Sequence, residues 1–295
     1  MRLLVNATSY GAEPGGAGVR ALHLYGALAQ HDVVFLLAED TSREVVPAGV
    51  ETRVLPVRAG NRLQRFLQLR LPEDGDLLLT DHYPVATIPT VLTLHDRGGP
   101  AWRRALVRRQ IARADAVVSV SETVRAAWGG SGEVVANGAD PMDDPPAPED
   151  HLLVCDPGLP HKRVDRARAV AAALDRPLRE RGRGVGWMRH EEMRREIARA
   201  RVVLCPSEKE GFGRVALEAM ALGRPLVASD IPAHREVAGD YARYAGTPEE
   251  WIAQVRAAWD ETKVPAAVAS WADQAARLEP ILRRACTSRT AGRRR

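Results

Sequence analysis

Residues 200–230 read ARVVLCPSEKEGFGRVALEAMALGRPLVASD, and their reading decides the fold. Ala200 to Pro206 is an apolar run of strand length. From about Arg214 the apolar positions Val215, Leu217, Ala219, Met220 and Leu222 follow a helical period that closes at Gly223, with Pro225 beyond it. Strand, glycine turn and helix in that order begin a parallel β-α-β unit, and in open sheets of that kind ligands gather beyond the carboxyl ends of the strands. The turn between Ser207 and Gly213 is therefore well placed for chemistry. A glycine turn opening a helix presents unpaired N–H groups to an anion such as a diphosphate. Glu210 and Glu218 do the opposite, accepting hydrogen bonds from hydroxyls. Phosphates in the middle and polyols at each end describe a nucleotide sugar. Glycine turns and surface glutamates are also common in proteins without a ligand, so the residues by themselves leave both readings open.

The same alternation extends over most of the chain. The apolar runs RLLVNA (2–7), DVVFLLAED (32–40), DLLLTDH (76–82), TVLTLHD (90–96), ADAVVSV (114–120), EVVANG (133–138) and HLLVCD (151–156) are separated by helical or turn patterns. Such alternation predicts an α/β protein with parallel strands and crossover helices. PMDDPPAPED (141–150) is proline-rich and acidic, without apolar periodicity, and reads as a linker. It divides the chain into an N-terminal domain, 1–142, a linker, 143–150, and a C-terminal domain, 151–268. SWADQAARLEPILRRA (270–285) places Trp271, Ala275, Leu278 and Leu282 on one helical side, within a helix expected over 269–286 that Pro280 would kink or break.

At 295 residues and 45% hydrophobic content the chain can fill two cores. No run approaches the roughly 20 apolar residues of a membrane span, and the start is too short for a signal peptide, so a cytoplasmic address is expected. Cys155, Cys205 and Cys286 have no paired metal-ligand spacing and read as reduced thiols. The net charge of +4 is matched by four arginines in TSRTAGRRR, residues 287–295. That segment is expected as a disordered basic tail, and specific nucleic-acid binding is not expected. WRRALVRRQIAR (102–113) has a thin apolar face, so its arginines read as a solvated helix face with at most peripheral membrane contact.

Glu210-Gly-Phe-Gly-Arg-Val-Ala-Leu-Glu218, continued through Glu218-Ala-Met-Ala-Leu-Gly-Arg-Pro-Leu-Val-Ala-Ser-Asp to Gly239, resembles the signature of retaining glycosyltransferases of the GT-B architecture, family 4 in particular. The resemblance implies two Rossmann-like doubly wound domains facing each other across a cleft, in a cytoplasmic, bacterial enzyme. It implies that Glu210 holds hydroxyls of the donor sugar, that Glu218 holds the ribose, and that the amides around Phe212, Gly213 and Arg214 meet the phosphates. Gly15-Gly16-Ala-Gly18 is similar to the family's first glycine loop and makes Gly16 a donor contact; its spacing does not fit a dinucleotide fingerprint. Thr93-Leu-His95-Asp96 resembles the strand-end histidine that sits against the transferred sugar. Ala114 to Glu122 and Asn137 to Asp140 resemble two further landmarks. Lys162 and Arg163, in Asp156-Pro-Gly158-Leu-Pro-His-Lys162-Arg163, fall where the family places cations on the pyrophosphate, although Leu159 stands where an arginine usually follows the glycine. Gly186-Trp187-Met188 falls where the base is read, and Trp271 opens a helix similar to the one that crosses back to brace the N-terminal domain.

Retaining transfer passes through an oxocarbenium-like state as the nucleotide leaves. Lys162, Arg163 and the Gly213 amides would stabilise the leaving phosphates, while Glu210 and His95 would align the sugar as the catalytic pair. Asp81, His82 and Tyr83 follow a strand and are candidate acceptor contacts. The segments around His95 are shorter than is usual in the family, which favours a small hydroxyl- or amine-bearing acceptor. Asp74-Gly-Asp76 precedes its strand and reads as a turn, so no metal and no cofactor beyond the nucleoside diphosphate sugar co-substrate are expected. A catalytically inactive sugar-nucleotide-binding or partner subunit is the rival reading, and a nicotinamide oxidoreductase a third.

Overall fold

The computed structural model describes residues 1–13, 15–58, 71–81, 87–156 and 158–292. It divides into two compact units, Met1–Asn137 with Trp271–Arg295, and Gly138–Ser270. The described residues of the first unit form a seven-stranded parallel sheet of β1 (Arg2–Asn6), β2 (Asp32–Ala38), β3 (Glu51–Leu55), β4 (Leu77–Asp81), β5 (Thr90–Leu94), β6 (Ala116–Ser119) and β7 (Glu133–Val134), in the order β3-β2-β1-β4-β5-β6-β7. Every residue of β4 and of β5 is buried, so these strands read as continuous apolar runs and not as an alternation. The chain builds outward from β1 to β3 on one side and from β4 to β7 on the other. The strand order therefore reverses between β1 and β4.

The second unit holds a five-stranded parallel sheet of β8 (Glu149–Cys155), β9 (Leu178–Arg181), β10 (Ala200–Cys205), β11 (Leu226–Ser229) and β12 (Arg243–Ala245), in the order β12-β11-β10-β8-β9. Its reversal falls between β8 and β10. Leu152, Val154, Val202 and Leu204 face one apolar layer with Trp251 and Val255, while Leu153, Val203 and Ala228 face another with Ile197, Ala216 and Ala219. A sheet covered on both faces is what the continuous runs HLLVC and RVVLC require.

Three boundaries differ from the sequence reading. The units divide at Asn137/Gly138, ahead of the proline-rich stretch, and Glu149 and Asp150 already belong to β8. Asn137 is tied back to the first unit by Arg20, whereas the Ala139 amide bonds to the Ala269 carbonyl of the second. The C-terminal helix runs Trp271–Gly292 through Pro280 and into the segment expected as a disordered tail. Pro280 is flanked by Leu278, Ile281 and Leu282, all buried in the core with Leu3, Val5 and Leu24, and this packing outweighs the loss of one helical hydrogen bond.

Candidate functional site

Each unit carries a polar cluster at the carboxyl ends of the strands that flank its reversal point, where open α/β sheets place their ligands. In the second unit the chain leaves β10 through residues 206–213 and enters the helix Arg214–Ala221, which is N-capped by Gly213 at φ 94°. That backbone conformation favours glycine. No side chain caps this helix start, so its first N–H groups are available to an anion. From the neighbouring strand β8, residues 160–162 form a short turn, and the Glu208 amide donates to the His161 carbonyl at 2.9 Å, fastening the two loops together.

Glu210 and Lys162 meet between those loops. Lys162 Nζ donates to Glu210 Oε1 at 2.8 Å, and Ser207 Oγ donates to the same oxygen at 2.7 Å. Both charged side chains are about 15% exposed. Burial alone would push the Glu210 carboxyl up; Lys162 and the hydrogen bonds bring it below the ordinary carboxylate value. Burial likewise works against the Lys162 ammonium, and Glu210 reverses that effect. Only three of the 42 Lys and Arg residues are lysines, Lys162 among them. In so arginine-dominated a chain, a lysine at this point indicates a need for a compact, flexible charge.

Glu218 lies one turn into the helix, with its side chain 3% exposed. His190 Nε2 is 3.0 Å from its Oε1 and Arg214 Nε is 3.6 Å away. Burial raises its carboxyl pKa, yet Arg214, His190 and Arg194 outweigh burial and hold it at about 2. Its second oxygen, Oε2, is buried without a hydrogen-bond partner. A buried carboxylate oxygen held charged and unpaired is suited to a hydroxyl donor arriving from outside.

The remaining donor candidates divide. Phe212 packs in a small apolar cluster with Ala139, Leu217 and Ala221, so its side chain holds the loop while its backbone lies in the turn. Arg163, in a left-handed conformation at φ 49°, pairs with Asp165 and Glu208 on the exposed side of its loop, not with Glu210. Leu159 donates its amide to the Asp156 carbonyl. Asp156 also accepts from the Arg183 amide at 3.0 Å, and Gly158 donates to the Arg183 carbonyl at 2.7 Å. The loop after β8 is thus bound to residues 182–184, ahead of Trp187.

In the first unit, Gly16 is the exposed first residue of the helix Gly16–Arg20, which continues as a π-helix over Ala21–Tyr25. At the reversal point Asp81 ends β4, with its side chain 4% exposed. Its Oδ2 accepts from Tyr10 Oη at 2.5 Å, and its Oδ1 lies 3.0 Å from His95 Nε2 at the end of β5. Burial, reinforced by Asp81, drives the Tyr10 phenol far above its ordinary range. Arg20, fully buried, donates to the carbonyls of Val135 and Ala136 and to Asn137 Oδ1, fixing the end of the sheet. The structure thus joins His95 to Asp81; His82 and Tyr83 lie outside the described residues.

Asp74 pairs with Arg53, and Asp76 accepts from the Arg2 amide, so the Asp74-Gly-Asp76 acids are engaged at the amino end of β4. Among the described residues no group of three or more His, Cys, Asp or Glu is arranged to hold a metal ion, and no helix is long and apolar enough to cross a membrane. The helix Ala101–Ile111 directs Arg103 to Asp96 and Arg104 over Trp128, leaving Trp102 exposed. The sequence reading passed over His190, Arg194, Ser207, His234, Tyr10 and Arg20. His190 and Arg194 lie four residues apart on one predicted helix, a spacing that placed them on one face; no local signal marks Tyr10 or Arg20.

Solved structures share this architecture over nearly the whole chain. Sucrose-phosphate synthase from Thermosynechococcus elongatus aligns with TM-score 0.70 at 16% identity, over 100% of this chain and 98% of that one. Anabaena HepE, determined in complex with UDP and glucose, aligns with TM-score 0.66 at 16% identity, over 96% and 95%. AviGT4, a glycosyltransferase involved in avilamycin A biosynthesis, aligns with TM-score 0.64 at 19% identity, over 98% of both chains. The fold is therefore the GT-B fold of glycosyltransferases. Residues 148–265 match the family described as glycosyl transferases group 1. The Escherichia coli O-antigen chain mannosyltransferase B is 42% identical over 69 residues, which are 21% of this chain and 18% of that protein's length.

Proposed function

We propose that the protein is a retaining glycosyltransferase that moves a sugar from a nucleoside diphosphate sugar to a small hydroxyl- or amine-bearing acceptor, without a metal ion. The observation that carries this reading is the pair of buried, ionised carboxylates at the two ends of one anion-suited loop, Glu210 beside Lys162 and Glu218 with one oxygen unpaired. In it Glu218 receives the ribose hydroxyls and the amides after Gly213 receive the diphosphate. Lys162 turns part of its charge from Glu210 to the phosphate, which frees Glu210 for the sugar hydroxyls. The bond from the anomeric carbon to the diphosphate oxygen breaks, and Lys162 with the helix N-terminus stabilises the charge that develops on that oxygen. The acceptor oxygen attacks the same face and gives its proton to the departing diphosphate. His95, held by Asp81, positions the transferred sugar.

The test is a paired measurement of donor hydrolysis and transfer in wild type and Glu210→Gln. Loss of both activities with donor binding retained is expected, together with product of unchanged anomeric configuration by NMR and full activity in a chelator. If the wild type binds sugar nucleotides but neither hydrolyses nor transfers them, the inactive-subunit reading replaces this one.

A further inference from the structure

Beneath the donor loop lies an imidazole that the proposed chemistry does not use. His234, in the first turn of the helix Pro232–Ala238, is 1% exposed. Its Nδ1 is 3.0 Å from the Ser229 carbonyl oxygen, so Nδ1 carries the hydrogen and Nε2 is bare while the ring is neutral. The ring lies against the start of the neighbouring helix. A Cβ added to Gly213 would stand 3.1 Å from His234 Cδ2 and 3.7 Å from Nε2. Gly213 is thus confined twice, by its positive φ and by the imidazole below it.

The charged groups within reach of this ring are Glu210 and Lys162, which neutralise each other. Its other neighbours are turned elsewhere: Arg235 pairs with Asp230 and stacks over Tyr244, and Tyr244 donates to the His234 and Gly239 carbonyls. Burial, the largest influence, holds the imidazole neutral, and the Ser229 hydrogen bond and Glu210 work against it without prevailing. An anion arriving at the Gly213 amides, with Lys162 drawn toward it, changes that balance in favour of the charged ring.

We propose that His234 is a positioning residue of the donor site which takes up one proton on Nε2 from solvent when the diphosphate of a sugar nucleotide settles on the 210–214 loop. The imidazolium then lies under Gly213 as a fixed positive charge that favours departure of the leaving diphosphate. This inference rests on the donor-site reading above. It also gives a reason for the shape of the loop, because only glycine at 213 lets the phosphate-facing backbone approach the ring.

Titration calorimetry of the full chain with UDP-glucose and with GDP-mannose, between pH 6 and 8.5 in buffers of differing ionisation enthalpy, tests it. Their diphosphate diesters do not titrate in this range, so uptake approaching one proton per donor is expected in wild type, with affinity falling up to tenfold per pH unit as pH rises. His234→Asn keeps a donor for the Ser229 carbonyl and removes the titration; it is expected to bind with no proton uptake and a flat profile. His161→Gln, which removes the half-buried imidazole beside Lys162, is expected to keep the uptake. Nitrogen NMR of histidine-labelled wild type reads the same event without a variant, since the Nδ1–H tautomer of His234 is opposite to that set at His31 and His190, whose Nε2 faces a carboxylate. Wild-type uptake retained in His234→Asn, or an Nδ1–H signal unchanged at donor saturation, overturns the proposal alone. Failure of both sugar nucleotides to bind wild type at every pH overturns the donor-site reading beneath it.

Discussion

The two strand-end clusters bury carboxylates by different means. In the second unit each acid faces a cation: Glu210 faces Lys162, and Glu218 faces Arg214, with His190 Nε2 against the same oxygen. In the first unit Asp81 is held by the Tyr10 hydroxyl and by His95, which carries charge only when protonated. A cluster of matched opposite charges can receive a diphosphate by exchanging partners, since each cation already has an anion to release. Asp81 is bonded to a phenol, and the buried cation near it, Arg20, is engaged by the Val135 and Ala136 carbonyls and by Asn137, so Asp81 has no such exchange available and is suited to fixing the orientation of an imidazole. On the proposed reading, the end with directly paired charges serves the donor and the other end positions the sugar and acceptor.

The comparison is most severely tested at Lys162. Lys162→Met leaves the Glu210 charge mostly buried with only the Ser207 hydroxyl bonded to it, which is expected to cost about 3 kcal/mol of stability in urea unfolding and to lower kcat/KM about 100- to 1000-fold. Lys162→Met with Glu210→Leu is expected to recover most of the stability and none of the transfer. Next in size, Glu218→Gln is expected to raise the donor KM about 10- to 100-fold with kcat little changed, because its charge-assisted bonds are made to bound substrate and transition state alike. The same variant reports a pH dependence. A carboxyl held at about 2 in the folded state, against 4.5 as its ordinary value, adds about 3 kcal/mol of stability above pH 4.5 that is lost as pH falls toward 2. The gap in unfolding midpoint between wild type and Glu218→Gln should therefore close on acidification.

In the other cluster, Asp81→Asn retains the shape and the contact with Tyr10 while removing the charge beside His95. About a tenfold fall in kcat with donor KM unchanged is expected; an effect on the donor KM alone would assign Asp81 to the wrong substrate. Smallest of all is Arg163→Ala, whose partners Asp165 and Glu208 are exposed. Steady-state activity within about twofold of wild type is expected, since such pairs contribute at most about 1 kcal/mol.

Much of this arrangement was legible in the sequence because it depends on period and order. Runs such as LLLTD and RVVLC exceed what a half-exposed strand would carry, and a glycine turn followed by a helical period fixed where the loop of Glu210 opens. The GT-B architecture was what the family resemblance over residues 210–239 implied. What was not legible depends on meetings between distant segments. Lys162 and Glu210 come from different loops, Tyr10 reaches Asp81 from the segment that follows β1, and His234 meets Gly213 only after two strands and two helices have stacked. Of the two outcomes expected at Pro280, a kink or a break, the break does not occur, because local propensity yields where the flanking residues are buried.

The C-terminal helix has a consequence for biosynthesis. Trp271, Ala275, Leu278 and Leu282 complete the core begun by Leu3 and Val5, whereas Gly138–Ser270 is one uninterrupted stretch. The later-encoded unit closes its core within one stretch, whereas the earlier one cannot close its own until the C-terminal helix docks, which departs from the usual N-terminal-first order. Nascent chains arrested before residue 271 should expose the apolar face of β1 and β2 to chaperones, and those released beyond Leu282 should not.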